Sequence, residues 1–155
     1  MTTTLIVLAH PEPRSFNGAW AAATRRACEE LGDTVLFSDL VTMNFHPVER
    51  ALNYPHHPSA SCFDPLKAQE EASNLMLLPD DAKIEIEKLS RADRVIFHFP
   101  IWWFAPPAIL KGWFDRVFAH GKLHTVERRF DKGLFRGKKA LFCVTTGSNE
   151  EESAF

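Results

Sequence analysis

The sequence lacks the signals that mark several common protein classes. Its three cysteines, Cys28, Cys62 and Cys143, stand far apart without a CxxC pair, so a disulfide framework is disfavoured and reduced thiols in the cytoplasm are expected. The net charge of −2 gives no reason to expect nucleic acid or an anionic membrane as a partner. The longest N-terminal apolar run, LIVLA at residues 5–9, is too short for a membrane span, and no basic n-region of a signal peptide precedes it.

Several nucleotide and metal motifs are also missing. There is no GxGxxG and no GK[ST] sequence, which disfavours a Rossmann NAD site and a P-loop NTPase. No GxSxG elbow is present, and no cysteine stands in an activating context. His46, His56 and His57 have no carboxylate or cysteine at ligand spacing, so we predict no metal site.

What the sequence does contain is an alternation of short apolar runs with helical segments. Strands are predicted at residues 5–9, 34–37, 94–99 and 139–144, and helices at residues 16–31, 66–78, 80–90 and 107–118. In the first predicted helix, apolar residues recur at helical spacing at Ala19, Ala22, Ala23, Ala27 and Leu31, and Gly32 is its expected C-terminal stop. Asp80 is the expected N-terminal cap of the third predicted helix. This order predicts a doubly wound α/β fold with a parallel sheet, formed as a single domain over residues 1–155.

Two features interrupt this regular order. Residues 41–80 are rich in Pro, His, Asn and Ser and are interpreted as a long surface excursion with a functional or partner-covering role. The chain ends eleven residues after the fourth predicted strand, so a further strand and helix are expected to be missing, or a partner is expected to cover that side of the sheet.

Ligands of open α/β sheets bind beyond the carboxyl ends of the strands, and three unusual segments lie at such ends. The first, HPEPRSFNG, places Ser15 and Asn17 at a helix start, where free N–H groups suit a phosphate. The simpler alternatives are that Ser15 only caps the helix and that His10 is an ordinary turn histidine. The third segment, TTGS at residues 145–148, offers two threonine hydroxyls and a glycine whose backbone a ligand can approach.

The second segment, FPIWWFAPP, puts two adjacent tryptophans after Pro100, which is expected to turn the chain out of the sheet. An aromatic wall there could stack a planar ligand. The alternative is that both tryptophans pack beneath the following helix. Trp113, inside the apolar stripe of that helix, is predicted to belong to the core.

These segments together resemble the flavodoxin-like NAD(P)H:quinone oxidoreductases, the DT-diaphorase family and its bacterial relatives. The resemblance rests on VLAHPEPRSFN, the SDL…MNFHP run, FHFPIWWFAPPAILKGWFDRVF, FDKG and VTTG, which occur in order along nearly the whole chain. It implies a flavodoxin-like fold whose C-terminal strand and helix are missing, and a homodimer with a flavin, FAD or alternatively FMN, at the subunit interface. It further implies a two-electron hydride transfer from NAD(P)H through flavin N5 to a quinone.

The resemblance also assigns residues. The flavin phosphates, the isoalloxazine wall and its polar edge would be contacted by the following residues: His10, Ser15, Phe16, Asn17, Pro100, Ile101, Trp102, Trp103, Phe104, Thr145, Thr146, Gly147 and Ser148. Leu123, His124, Thr125 and Val126 would form the substrate pocket of the partner subunit. No catalytic residue is assigned, because SNEEESAF stands where relatives carry a Tyr and a His. Two other functions remain open, a non-catalytic regulatory subunit of the same family and a flavodoxin-type electron carrier.

Overall fold

Four parallel strands form the centre of the protein. The computed structural model describes residues 1–57 and 62–148. The strands are β1 (Thr3–Leu8), β2 (Thr34–Asp39), β3 (Arg94–Pro100) and β4 (Lys139–Thr145), in the spatial order β2-β1-β3-β4. The helices are α1 (Phe16–Glu30), α2 (Pro65–Leu75), α3 (Asp80–Arg91) and α4 (Ala108–Val117), with 3₁₀ turns at Ala51–Asn53 and Phe130–Lys132. The order confirms the predicted doubly wound topology, because β2 lies on one side of β1 and β3 lies on the other.

Both faces of the sheet are covered, which explains why β1 is a continuous apolar run. Ile6 and Leu8 pack toward α1, while Leu5 and Val7 pack in the larger core with α3 and α4. All four side chains are buried. Strands buried on both faces need no alternation of polar and apolar residues. Within the described residues, no helix is long and apolar enough to cross a bilayer.

Helix α1 forms nearly within its predicted bounds, but the apolar residues whose spacing indicated it are not the ones it buries. Ala21 and Cys28 are buried with Asn17 and Gly18, whereas Ala19, Ala22, Ala23, Ala27 and Leu31 are exposed. Alanine is a strong helix former that tolerates solvent, so its spacing says little about which face is buried. Gly32 does follow the helix in the left-handed region (φ 82°), as the C-terminal stop requires.

The excursion at residues 41–80 is more deeply packed than predicted. Phe45 and Tyr54 are buried in the larger core. A Cβ added at Gly112 of α4 would lie 2.0 Å from the carbonyl oxygen of Pro47, so the two backbones touch. The part of the excursion around Phe45, Pro47 and Tyr54 therefore packs against α4 and the core, whereas Val48 and Leu52 are exposed.

Helix α3 also differs from its prediction. Pro79, not Asp80, occupies the N-cap position, and no side chain caps the helix. Ile84 is half exposed, whereas Glu85 is fully buried. The Glu85 carboxylate accepts hydrogen bonds from Trp113 Nε1 (2.9 Å), Ser38 Oγ (3.0 Å) and Lys88 Nζ (2.7 Å). This buried carboxylate joins α3, α4 and β2, because a buried charge is tolerated only when it is paired and hydrogen-bonded.

Candidate functional site

The three segments singled out in the sequence meet at one edge of the sheet. Ala9 N donates to His98 O (3.0 Å), and Ile101 N donates to Thr145 O (2.8 Å), so the ends of β1, β3 and β4 are level. Asn17 Nδ2 donates to Thr145 Oγ1 (2.8 Å), which connects the start of α1 to the end of β4. Parallel strands bring their carboxyl ends to the same edge, and this part of the prediction follows from the topology. That these residues bind a flavin stays a prediction.

The first segment is held in shape by its own hydrogen bonds. Ser15 Oγ accepts from Gly18 N (3.1 Å) as the N-cap of α1, and His10 Nδ1 accepts from Glu12 N (3.0 Å). Ser15 therefore caps the helix and His10 forms hydrogen bonds within the turn, as the simpler alternatives proposed. The first turn of α1 contains no acidic residue, so the positive end of the helix dipole is left for an anion.

Gly18 of the first segment has a packing role that the sequence reasoning missed. A Cβ at this position would lie 2.2 Å from the carbonyl oxygen of Pro13. Only glycine lets the Pro-rich segment lie this close to the helix. The available signal was a glycine in the first turn of a helix, where its low helix propensity is unfavourable without a packing reason.

The second segment contains an unusual turn. Trp102 N donates to Ala105 O (2.9 Å) and Ala105 N donates to Trp102 O (3.1 Å), which closes a two-residue loop. Trp103 (φ 51°) and Phe104 (φ 60°) both adopt positive φ, the arrangement that turns of this length normally give to Asn-Gly. Their side chains are 94% and 86% exposed. Bulky residues in the left-handed region are strained, and such strain is concentrated at ligand sites.

A cleft of about 530 Å³ lies between the second and third segments. It is lined by Pro100, Ile101, Trp102, Trp103, Thr145, Thr146 and Gly147. Trp102 is half exposed, and its ring lies 6.2 Å from the His10 ring. The volume falls within the range of small-molecule sites, about 300–1,000 Å³.

Gly147 at the mouth of this cleft has no reason within the described residues to be glycine. Its φ is not positive, and a Cβ built on it would meet no atom within 4 Å. The local backbone therefore does not require glycine at position 147. The space beside Gly147 is open, so a ligand can reach the main chain there.

Strand β3, which leads into the cleft, contains a buried polar residue that the sequence reasoning did not single out. His98 in β3 is fully buried, and neither of its ring nitrogens has a hydrogen-bond partner within the described residues. Burial lowers the pKa of His98 to about 4. The ring packs edge-on against Trp20 of α1, with centroids 5.3 Å apart. A histidine inside a run of apolar strand residues was the available signal.

Two of the four predicted substrate residues line a different cavity. Leu123 and His124 border a concavity of about 500 Å³ with residues 128–131 and 133–136, Thr125 and Val126 do not line it, and no residue is common to this cavity and the cleft. Thr125 Oγ1 donates to Glu127 Oε2 (2.8 Å), and Val126 is exposed. Burial, and then the neighbouring His120, lower the pKa of His124. Within one chain, the structure therefore does not bring the predicted substrate and flavin residues together.

Three further expectations concern metal ligands, the C-terminal segment and the cysteines. No group of potential metal ligands is found among residues 1–57 and 62–148. The SNEEESAF segment lies outside the described residues from position 149 onward. Cys28, Cys62 and Cys143 are all free thiols.

The cleft fits a flavin in shape and chemistry. A planar ring needs an aromatic wall on one side and hydrogen-bond groups along its edge, and the cleft is lined by two tryptophans and two threonines. Asn17, whose Nδ2 donates to Thr145 of the cleft, has an Oδ1 atom that is buried without a partner in the described part of the chain. Unsatisfied buried polar atoms are rare in folded proteins and call for an explanation.

Comparison with known proteins places these features in context. Residues 2–154 match the family described as having a flavodoxin-like fold. The NAD(P)H dehydrogenase [quinone] 1 of Rattus norvegicus is 42% identical over 147 residues, which cover 94% of this chain and 53% of that protein. A Klebsiella pneumoniae protein with the provisional name of quinone reductase superposes with a TM-score of 0.89 at 36% identity, covering 99% of this chain and 62% of that one.

A third relative is the NAD(P)H:quinone oxidoreductase of Methanothermobacter marburgensis. It superposes with a TM-score of 0.74 at 32% identity, and the match covers 97% of this chain and 70% of that one. The chain spans 53% to 64% of the length of the curated quinone-dehydrogenase relatives from rat and orangutan.

Proposed function

The chain belongs to the flavodoxin-like fold family, and we propose that it is a flavin-dependent NAD(P)H:quinone oxidoreductase. The observation that carries this proposal is the turn at Trp103 and Phe104, where two strained and exposed aromatic residues border an open cleft at the carboxyl edge of the sheet. A core role cannot explain why large apolar side chains are held in solvent. A planar ligand that covers them can.

The first segment is proposed to hold the phosphates. His10, Ser15, Phe16 and Asn17 surround the start of α1, where N–H groups and the helix dipole favour negative charge. The close contact between Gly18 and Pro13 keeps this segment in place before a ligand arrives. Preorganisation of this kind lowers the cost of ordering a loop on binding.

The second and third segments are proposed to hold the ring system. Residues 100–104 form the aromatic wall, and residues 145–148 supply hydroxyl and backbone groups for the polar edge. A bound flavin supplies the two-electron transfer between a nicotinamide and a quinone, which amino-acid side chains cannot perform alone. The residues of this chain orient the ring, exclude water from one of its faces and direct donors to its edge.

Several finer points belong to the same proposal. FAD is the proposed flavin, with FMN as the alternative, and NAD(P)H is the co-substrate with a quinone as acceptor. We also propose that residues 1–155 act as one flavodoxin-like domain within a cytoplasmic homodimer, in which Leu123, His124, Thr125 and Val126 of one subunit complete the substrate pocket of the other. The separation of the two cavities within a single chain supports such an arrangement.

Reconstitution tests the function directly. The purified chain is incubated with FAD or with FMN, desalted, and examined for visible absorbance. NADH or NADPH is then added without oxygen, followed by a quinone. We expect the retained flavin to bleach and then to recover its absorbance on addition of the quinone.

Other outcomes would point to other functions. Bleaching that recovers only with a redox protein would favour an electron carrier. Retained flavin that neither nucleotide bleaches would favour a regulatory subunit. Failure to retain either flavin would reject every flavin-based function.

A further inference from the structure

Positive charge is concentrated in one segment of an otherwise acidic chain. Residues 122–139 contain seven basic and two acidic residues, a net charge of +5, whereas the whole chain has 18 basic and 20 acidic residues. The other 137 residues therefore carry 11 basic and 18 acidic residues, a net charge of −7. A local field of this sign attracts anions, even though the net charge of the chain does not.

Three arginines of this segment line the concavity described above, which we call the arginine cleft. Arg128, Arg129 and Arg136 border it with one carboxylate, that of Asp131. Its other lining residues are Leu123, His124, Phe130, Gly133, Leu134 and Phe135. The cleft of about 500 Å³ is large enough for part of a nucleotide.

Among the described residues, none of the three arginines forms a salt bridge, although the hydrogen bond from Thr125 and, after it, the charge of Arg128 contribute to lowering the pKa of the adjacent Glu127. Every recorded ion pair of an arginine belongs instead to Arg14, Arg25, Arg94 or Arg116. Arg128 Nη2 donates to the carbonyl oxygen of Gly121 (3.0 Å), and the Arg129 guanidinium lies over the Phe130 ring at 5.6 Å. A guanidinium presents five donors in a planar fork that suits phosphate, and these forks are largely unused.

Phe130 adds an aromatic surface to the same cleft. It is 87% exposed and has a φ of +52° at the start of a 3₁₀ turn. As at Trp103, a large side chain is held in solvent by a strained backbone, and strain of this kind marks ligand sites. An exposed ring beside unpaired guanidinium groups suits a ligand that has both a planar base and a phosphate.

We propose that the arginine cleft binds the phosphorylated adenosine half of NADPH. The arginines hold the 2′-phosphate and Phe130 stacks on the adenine, so that the protein prefers NADPH to NADH. The choice of NADPH among phosphorylated nucleotides rests on the function proposed above. A concave site of this size, in a chain whose remainder is acidic, favours a small anion over a membrane or a nucleic acid.

Calorimetric titration with two nucleotide fragments tests the site without flavin or turnover. Adenosine 2′,5′-bisphosphate carries the 2′-phosphate, and adenosine 5′-monophosphate lacks it. We expect the bisphosphate to bind at least 10-fold more tightly at low ionic strength, since hydrogen bonds to charged groups contribute about 1.5–3 kcal/mol and every 1.4 kcal/mol is tenfold. The preference should shrink as salt is added.

Variants locate the site. Arg129→Gln and Arg136→Gln should each weaken bisphosphate binding about 10-fold and leave binding of the monophosphate nearly unchanged. Phe130→Leu should weaken both nucleotides. Arg26→Gln, which removes an exposed charge on α1 without a recorded ion pair, is the matched control and should change neither affinity.

The proposal is overturned if both nucleotides bind equally, or if the arginine variants and Arg26→Gln behave alike. It is also overturned if the protein binds anionic-lipid vesicles or duplex DNA but not the bisphosphate. Because these titrations need no flavin, selective bisphosphate binding by a chain that retains no flavin would support the arginine cleft while rejecting the oxidoreductase function.

Discussion

Two tryptophans ten positions apart play opposite roles in this protein. Trp113 is fully buried in α4, and its indole N–H donates to the carboxylate of Glu85. Trp103 is 94% exposed on a strained turn at the mouth of the cleft. The same type of side chain therefore stabilises the fold at position 113 and is exposed to a ligand at position 103. What distinguishes them is the backbone, because a helix directs Trp113 inward and a left-handed turn directs Trp103 outward.

The largest expected effect lies at the buried tryptophan. Trp113→Ala should lower the free energy of unfolding by about 3–5 kcal/mol, because it opens a cavity and removes a donor from a buried carboxylate. Urea unfolding followed by circular dichroism measures the loss. Trp113→Phe keeps most of the volume and should cost about 1–3 kcal/mol for the lost hydrogen bond. A loss below about 1 kcal/mol for Trp113→Ala would show that the core tolerates its removal.

The buried His98 of β3 should behave like a core residue and should give the fold a pH dependence. The pKa of His98 is about 4 in the folded protein and about 6.5 in an unfolded chain. Between these values the unfolded state binds more protons, so stability falls as the pH falls from 6.5 to 4, by about 3 kcal/mol in total.

Urea midpoints measured at several pH values in this window test the histidine. His98→Gln cannot take up a proton there and should remove most of the slope. A slope that persists in His98→Gln would assign the pH dependence to other groups.

Substitution in the exposed turn should raise the stability of the fold, whereas substitution of Trp113 lowers it. Replacing Trp103-Phe104 by Asn-Gly, the preferred pair for such a turn, should raise stability by about 1–2 kcal/mol, because the left-handed backbone is no longer strained. The same variant should lose flavin affinity. Unfolding and flavin titration of one preparation measure both effects. A loss of stability would show that the aromatic pair is part of the packed structure.

The smallest expected effect on stability is that of a substitution at Gly147, and Gly18 provides the contrast. Gly147→Ala should change the free energy of unfolding by less than about 0.5 kcal/mol, because its Cβ would meet open space. It should nevertheless weaken flavin retention, since the methyl group would occupy the open side of the cleft. Gly18→Ala serves as the contrast and should destabilise the protein, because its Cβ would collide with Pro13. Equal stability losses in both variants would remove the distinction.

Much of the fold could be predicted from sequence because it depends on local patterns. Continuous apolar runs located the strands to within two residues, and the rules of parallel connection then predicted a doubly wound sheet, whereas the strand order came from the structure. The convergence of His10, Trp102 and Thr145 followed from the same rules, since all three come after strand ends.

The remaining features depend on contacts that no local pattern contains. Glu85 is 28 positions from Trp113, and Pro47 is far from Gly112 in sequence. The left-handed turn at Trp103 carries neither of the residues that usually announce it. The basic segment at 122–139 was visible in the sequence, but the net charge of −2 averages it with the acidic remainder. The residues that could not be predicted from the sequence are mostly those that connect elements distant along the chain.

The division between the two tryptophans is tested most directly by measuring flavin affinity and stability together in Trp103→Ala. We expect the free energy of unfolding without flavin to change by less than about 0.5 kcal/mol, because the side chain is already in solvent. We expect the flavin dissociation constant to rise about 10-fold or more, since a stacked aromatic surface contributes at least about 1.4 kcal/mol. Leu52→Ala, which removes another exposed apolar side chain away from the cleft, should change neither quantity. Unchanged flavin affinity together with a clear loss of stability in Trp103→Ala would contradict a role for this tryptophan as the wall of a ligand site.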